Sequence, residues 1–289
     1  MSYWEKANHS WSPDSTRYID TPDQRSKELF YYVQEIGHFK AHRPYYTERA
    51  NLPSFLMKFT HSGEGRLVYN NQKFLIKSGD IFFIDCREYQ HYQTVSDEPW
   101  EMDWVHFFGG TSEAFYQEFM KNGSNVFHTT TAPLENPIHL IVNQLLLLQE
   151  SQHAQTDYQS SVLLHQLLNE LLLQKNQLDF TYEEIPDHVL AMKDFLDQHF
   201  KEIITMEQLE KLFHVNKYQL NKDFSRYIGQ PPINYQINKK ISYAKDLLRY
   251  SNQSIKEIAL EIGMDNFAYF SRLFKKRTGL SPSVYRKIG

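Results

Sequence analysis

Cysteine is all but missing from this chain. Cys86 is the single one among 289 residues, so no internal disulfide can form and nothing points to an oxidising compartment. Long apolar runs are missing as well. No stretch approaches the roughly 18 residues that a membrane-spanning helix needs, and residues 1–20 are polar and aromatic with no apolar leader core. A cytoplasmic protein with no membrane role is therefore expected. Catalytic signatures are just as scarce: there is no glycine-rich phosphate loop and no Gly-x-Ser-x-Gly nucleophile turn. A lone cysteine outside any Cys motif argues against reactive-thiol chemistry. These patterns assign no catalytic residue, metal ligand or cofactor, and the chain is not expected to be an enzyme.

What the chain does have is an internal repeat. Residues 205–235 recur fifty positions later as 255–285: Asn216 matches Asn266, Leu220 matches Phe270, Lys222 matches Arg272 and Phe224 matches Phe274, followed by Gly229 with Gly279, Pro232 with Pro282 and Tyr235 with Tyr285. A duplication of this size indicates two copies of one binding element. In the first copy Thr205 and Gln208 form a capping box ahead of apolar positions Met206, Leu209, Leu212 and Phe213 at helical spacing. A turn at 214–216 follows, with Asn216 as N-cap of a second helix that ends at Gly229. In the second copy Ser254 and Glu257 make the capping box, Gly263 opens the turn, and a helix over about 267–277 buries Phe270 and Phe274. Residues 233–250 read as one long helix whose apolar stripe runs through Ile237, Ile241, Ala244, Leu247 and Leu248. Short helix, turn and cationic second helix is the pattern of a helix-turn-helix that enters a DNA groove.

Charge divides the same way. Residues 185–289 carry 17 Lys plus Arg against 11 Asp plus Glu, and residues 1–184 carry 14 against 24. A basic module suits phosphate contact, and the acidic one needs a different task.

Residues 263–286 (GMDNFAYFSRLFKKRTGLSPSVYR) resemble the C-terminal signature of the AraC/XylS transcription regulators at nearly every fixed position. The resemblance covers about the last hundred residues closely and implies two helix-turn-helix subdomains joined by a helix and bound to successive major grooves of double-stranded operator DNA. Carried over position by position, the base-reading residues would be Tyr218, Asn221 and Lys222 in the first recognition helix and Ala268, Tyr269 and Arg272 in the second.

The N-terminal half alternates like β-structure. Short strand candidates at 56–60, 66–69, 74–76, 81–84 and 100–108 are separated by turn signals, and regular short strands indicate a sandwich or barrel. The run Gly63-Glu64-Gly65, then Gly79 and Asp80, then His91 resembles the cupin-like sensor barrel of sugar-responsive AraC regulators, similar to regulators of raffinose and multiple-sugar operons. Trp100, Met102, Trp104, His106 and Phe108 alternate onto one face, giving a candidate aromatic wall. A pyranose can stack its C–H face on an indole, with His61, His91, Tyr92 and His106 serving its hydroxyls. The resemblance puts Trp104 where an arabinose-sensing relative has its sugar-stacking tryptophan. Where that relative has an arginine just before the Gly-x-Gly turn, this chain has His61-Ser62, which leaves the identity of the sugar open; were Trp104 ordinary barrel core, the pocket would be sought around Arg49 and Tyr69. The rival for such a barrel is a cupin-type metalloenzyme fused to a DNA-binding module; it wants a His-x-His pair, and here His91 is followed by Tyr92 and Gln93.

Leucine-rich stretches at 138–149 and 162–174 follow helical spacing with a face broad enough to bury on two sides. One side would cover the barrel and the other would meet a second subunit. The expected architecture is α+β: a cupin-like effector domain at 1–135, dimerisation helices at 136–176, a linker at 177–186 and an all-α double helix-turn-helix domain at 187–289. The expected function is sequence-specific transcription regulation, as an activator of carbohydrate-utilisation genes, with a small sugar effector such as an α-galactoside, RNA polymerase and a second copy of the chain as partners.

Overall fold

The computed structural model describes residues 2–288. The chain forms two compact units, one running to Asp179 and the other beginning at Phe180. The first contains, in order, β1 (Trp4–Asn8), β2 (Thr16–Ile19), α1 (Gln24–Leu29), β3 (Tyr31–Ala41), β4 (Tyr46–Ala50), β5 (Phe55–Ser62), β6 (Gly65–Tyr69), β7 (Gln72–Ile76), β8 (Asp80–Asp85), β9 (Gln90–Thr94), β10 (Trp100–Gly109), α2 (Ser112–Met120), β11 (Val126–His128), α3 (Pro137–Ser151) and α4 (Thr156–Lys175). The strands make two antiparallel sheets, a five-stranded one in the order β1-β4-β9-β6-β7 and a six-stranded one in the order β11-β8-β5-β10-β3-β2.

These sheets and the leucine-rich helices stack as three layers with two cores between them. One core holds Phe39, Leu56, Leu67, Phe82, Ile84, Tyr92, Trp100, Met102 and Trp104. The other joins Ile36, Phe55, Met57, Phe59, Phe83, Val105 and Phe107 of the six-stranded sheet to Ile138, Val142, Leu145, Leu164, Leu168 and Leu171 of α3 and α4. Central strand β5 is therefore covered on both faces, and seven of its eight residues are buried, the polar Lys58, Thr60 and His61 among them. The expected alternation of β10 holds from Trp100 to His106 and then breaks. A register shift between His106 and Phe107 against β3 re-aims the strand end, and Phe108 packs with the helix-side core instead of extending the aromatic wall.

The second unit is helical: α5 (Asp187–Gln198), α6 (Met206–Phe213), α7 (Lys217–Ile228), α8 (Pro232–Tyr250), α9 (Ile255–Glu261), α10 (Phe267–Thr278) and α11 (Pro282–Ile288). Both capping boxes form, at Thr205 with Gln208 and at Ser254 with Glu257. Asn216 caps α7 by accepting from Tyr218 N, Asn266 caps α10 by accepting from Tyr269 N, and Gly229 and Gly279 end those helices in the left-handed region. Leu220 and Phe224 pack with Val189, Met192, Leu196 and Leu209. Phe270 and Phe274 pack with Ile241, Ala244, Leu248, Ile258 and Ile262. Leu212, expected in the buried stripe of α6, is 49% exposed; the helix is short and Leu209 alone is fully enclosed.

Candidate functional site

The two recognition helices bury one face and leave the other open. Tyr218, Asn221 and Lys222 on α7 and Ala268, Tyr269 and Arg272 on α10 are all exposed, while Leu220, Phe224, Phe270 and Phe274 on the opposite faces are completely covered. Lys275, Lys276 and Arg277 fall in the last turn of α10, where cations complement the helix dipole. A shared network holds the two subdomains together. Gln236 of α8 donates to the carbonyls of Phe200 and Glu202, Lys240 donates to that of Gly263, and Glu261 accepts from Lys201, Tyr243 and Gln253. Gly263 sits tightly in this junction. Its φ is +67°, and a Cβ there would stand 1.8 Å from the Lys201 carbonyl oxygen.

In the first unit, pairing register brings distant residues into one cavity between the sheets. Trp104 of β10 lies directly opposite Lys58 of β5, and Thr47 of β4 lies opposite Tyr92 of β9, so these strands aim Trp104, Lys58, Arg49 and Tyr92 at a common cavity of about 40 Å³. Tyr45, Phe39 and Trp11 add aromatic wall, and Glu5 of edge strand β1 reaches in to Arg49 at 3.2 Å. Trp104 rests on the bare backbone of Gly37, where a Cβ would come within 2.7 Å of the indole, and meets Phe39 edge to face at 5.0 Å between ring centres.

Arg49 organises the polar side of the cavity. One Nη2 serves both Tyr92 Oη and His106 Nε2, each at 2.6 Å. A guanidinium only donates, so His106 Nε2 is the acceptor and the ring proton sits on Nδ1, 3.0 Å from Ser54 Oγ. Burial, reinforced by the charges of Arg49 and Lys58, pushes His106 well below the ordinary imidazole range and keeps it neutral. Lys58 is likewise driven well below the ordinary amine range, first by burial and then by Arg49. Its amine lies 4.1 Å over the Tyr92 ring and 3.2 Å from Tyr45 Oη. Two buried donors, Arg49 Nε and Trp104 Nε1, have no partner among the described residues. Buried N–H groups of this kind cost about 1–3 kcal/mol each when left unpaired, so the cavity is built to receive acceptor oxygens beside an aromatic face.

Four of the six expected effector residues, Arg49, Tyr92, Trp104 and His106, thus line one cavity. Two do not, and strand parity is the reason. His91 is the neighbour of Tyr92 on β9 and points to the opposite face, where it meets the Tyr46 ring. His61 shares parity with Phe59 on β5 and turns to the helix side of the sheet, beside Asp103. The cavity's arginine comes from β4 and not from the segment before Gly63. Tyr69, the other residue of the alternative pocket, instead hydrogen-bonds Asp85 O. Sequence reasoning missed Lys58, Tyr45 and Gly37. The one signal for Lys58 was a lysine set inside an apolar strand.

On the helix side of β10, Asp103 is completely buried. Burial opposes its ionisation, but hydrogen bonds from His139 and His38 prevail and hold the carboxyl well below the ordinary range.

Comparison with known proteins agrees with this geometry. The AraC-like ligand binding domain family matches residues 32–168, and a helix-turn-helix domain family matches residues 209–288. The chain is 26% identical over 260 residues to the MmsAB operon regulatory protein of Pseudomonas aeruginosa, covering 89% of this chain and 82% of that one. It is 26% identical over 234 residues to the lactose operon transcription activator of Staphylococcus xylosus, covering 78% of this chain and 80% of that one. An uncharacterised helix-turn-helix-type transcriptional regulator of Staphylococcus aureus is 27% identical over 241 residues, 81% of this chain, which spans only 32% of that longer protein. No helix among the described residues is long and apolar enough to cross a membrane. With a ligand-binding domain of this type ahead of a double helix-turn-helix, the chain belongs to the AraC family of transcription regulators.

Proposed function

We propose that this regulator activates carbohydrate-utilisation genes in response to a sugar held in the cavity of Arg49 and Trp104. The observation that carries the reading is the pair of buried, unpartnered donors, Arg49 Nε and Trp104 Nε1, set beside an aromatic face in one cavity. Indole and phenol faces suit the C–H side of a pyranose, and the guanidinium, the indole N–H, the Lys58 amine and the Tyr92 hydroxyl suit its oxygens. Arg49 and His106 already bond one another, so a bound hydroxyl would enter an ordered network rather than create one. A relative named as a lactose operon activator supports a sugar as effector, and an α-galactoside remains the specific choice. Catalysis forms no part of this role.

On the DNA side, Tyr218, Asn221, Lys222, Ala268, Tyr269 and Arg272 would read bases in two successive major grooves. The free face of the α3–α4 hairpin, with Leu147 63% and Val162 59% exposed, would pair two copies of the chain in the cytoplasm, and the DNA-bound pair would contact RNA polymerase. Thermal-shift screening against a sugar panel tests the effector reading directly. A sugar present at about 100 times its dissociation constant should stabilise the native protein by about 2.7 kcal/mol. The same sugar should bind Trp104→Phe at least tenfold more weakly in calorimetry, and equal affinity would move the pocket elsewhere.

A further inference from the structure

The polar cluster behind the effector cavity is unused by the reading above. Three imidazoles converge on the buried Asp103 from different elements. His38 Nδ1 of β3 is 2.8 Å from Oδ1, His61 Nε2 of β5 is 2.8 Å from Oδ2, and His139 Nδ1 of α3 is 2.6 Å from Oδ2.

A carboxylate satisfied by hydrogen bonds would need less than this. His139 and His38 already serve both oxygens of Asp103. His61 Nε2 approaches Oδ2 as closely, a third imidazole on one carboxylate, and His61 Nδ1 has no hydrogen-bond partner among the described residues, although its side chain is only 5% exposed. Three imidazoles crowded on one carboxylate, one of them with an unserved buried nitrogen, are more than hydrogen bonding of Asp103 requires.

Ligand atoms from His38, His61 and Asp103 all lie within 4.8 Å of one another. One ion at the usual distance of about 2.0–2.2 Å from nitrogen or carboxylate oxygen could reach all three with small side-chain adjustment. The surroundings fit as well. The other nitrogen of His38 stands 3.1 Å from Glu101 Oε1, which is how metal-binding imidazoles are held in orientation, and the ring is 24% exposed, which leaves an entry path.

We propose that His38, His61 and Asp103 bind one divalent transition ion of the zinc class, with His139 positioning the carboxylate from behind and water completing the coordination. Two imidazoles and a carboxylate favour zinc-like ions over magnesium or calcium, which take oxygen ligands. The site joins β3, β5 and β10, and through His139 it reaches α3. Occupancy would therefore fasten the first leucine-rich helix to the sheet. The proposal stands apart from the identity of the effector, because these residues face the other side of β10.

The test uses untagged full-length protein, stripped with chelator and titrated near neutral pH with Zn²⁺ in a calorimeter, with metal counting after dialysis. One ion per chain is expected, with no equivalent heat from Mg²⁺, and Co²⁺ should give the visible absorption of a low-coordinate nitrogen and oxygen site. Glu101→Gln, a change at the partly exposed second partner of His38, should weaken binding by about 10–100-fold. His61→Gln should remove the stoichiometric site, with circular dichroism and melting confirming that the variant is folded. Should His61→Gln not fold, Glu101→Gln decides alone. Absence of stoichiometric binding by the wild-type chain would overturn the proposal. So would unchanged affinity in Glu101→Gln or in a folded His61→Gln, since the ion would then sit on surface histidines.

Discussion

The two proposed functional surfaces are assembled by opposite routes. Tyr218, Asn221 and Lys222 come from a single helix, whereas Glu5, Arg49, Lys58, Tyr92 and Trp104 come from five different strands. A helix face is specified by local spacing, so a repeat in sequence is a repeat in surface. A cavity between sheets is specified by register, and a displacement of one residue sends a side chain to the wrong face. The reader can therefore be recognised from short motifs, and the sensor depends on partners far away in the chain.

The sharpest way to break this contrast is to remove Trp104. Trp104→Ala should destabilise the N-terminal unit by about 3–5 kcal/mol, the ordinary cost of deleting a large buried aromatic. Denaturation followed by intrinsic fluorescence and circular dichroism should show the loss confined to one of two transitions. A uniform loss across both would mean that the two units do not fold independently.

Glycines test the reader's internal junction. Gly263→Ala should cost roughly 3 kcal/mol, because strain at positive φ is joined by a clash with the Lys201 carbonyl. Gly229 and Gly279 also have positive φ but open space where a Cβ would stand, so Gly229→Ala and Gly279→Ala should each cost only about 1 kcal/mol. Equal costs at all three would remove the junction from the account.

The unequal legibility of the two units follows from the same physics. Thr205 with Gln208, Ser254 with Glu257, Asn216 and Gly229 announce helix ends through chemistry contained within four residues, and all act as caps in the structure. In the sensor, β5, β6, β7, β8 and β10 were visible as apolar or alternating runs between turns. Strands β1–β4, β9 and β11 were not, since polar stretches such as Thr47-Glu48-Arg49 become strands only through their partners. His61 was assigned to the cavity although it has the parity of Phe59, and His91 although it neighbours the inward Tyr92. Period-two reasoning across the paired strands would have separated these residues, but a single sequence does not supply the pairing.

At the DNA surface the expected effects are smaller. Lys222→Ala and Arg272→Ala should each weaken operator binding by about 1–3 kcal/mol if they contact bases, with footprint losses about one helical turn apart. Equal losses on random DNA would make them phosphate contacts.

The smallest effect concerns acid sensitivity. Hydrogen bonds from Gln253, Tyr243 and Lys201 lower Glu261 from 4.5 to about 2. A depressed carboxylate contributes stability that is complete above its unfolded value and is lost as pH falls from about 4.5 towards about 2. Glu261→Gln should flatten the acid limb of the second unit's stability profile in that window. An unchanged profile would show that the exposed network is screened.

Operator binding by the full chain and by a fragment beginning at Phe180, each measured by fluorescence anisotropy with and without the stabilising sugar, tests the division of labour most directly. The sugar should shift the operator affinity of the full chain and leave that of the fragment unchanged, with both affinities falling steeply as salt rises. A fragment whose operator affinity still responds to the sugar would contradict that division, because the effector would then be bound outside the cavity of Arg49 and Trp104.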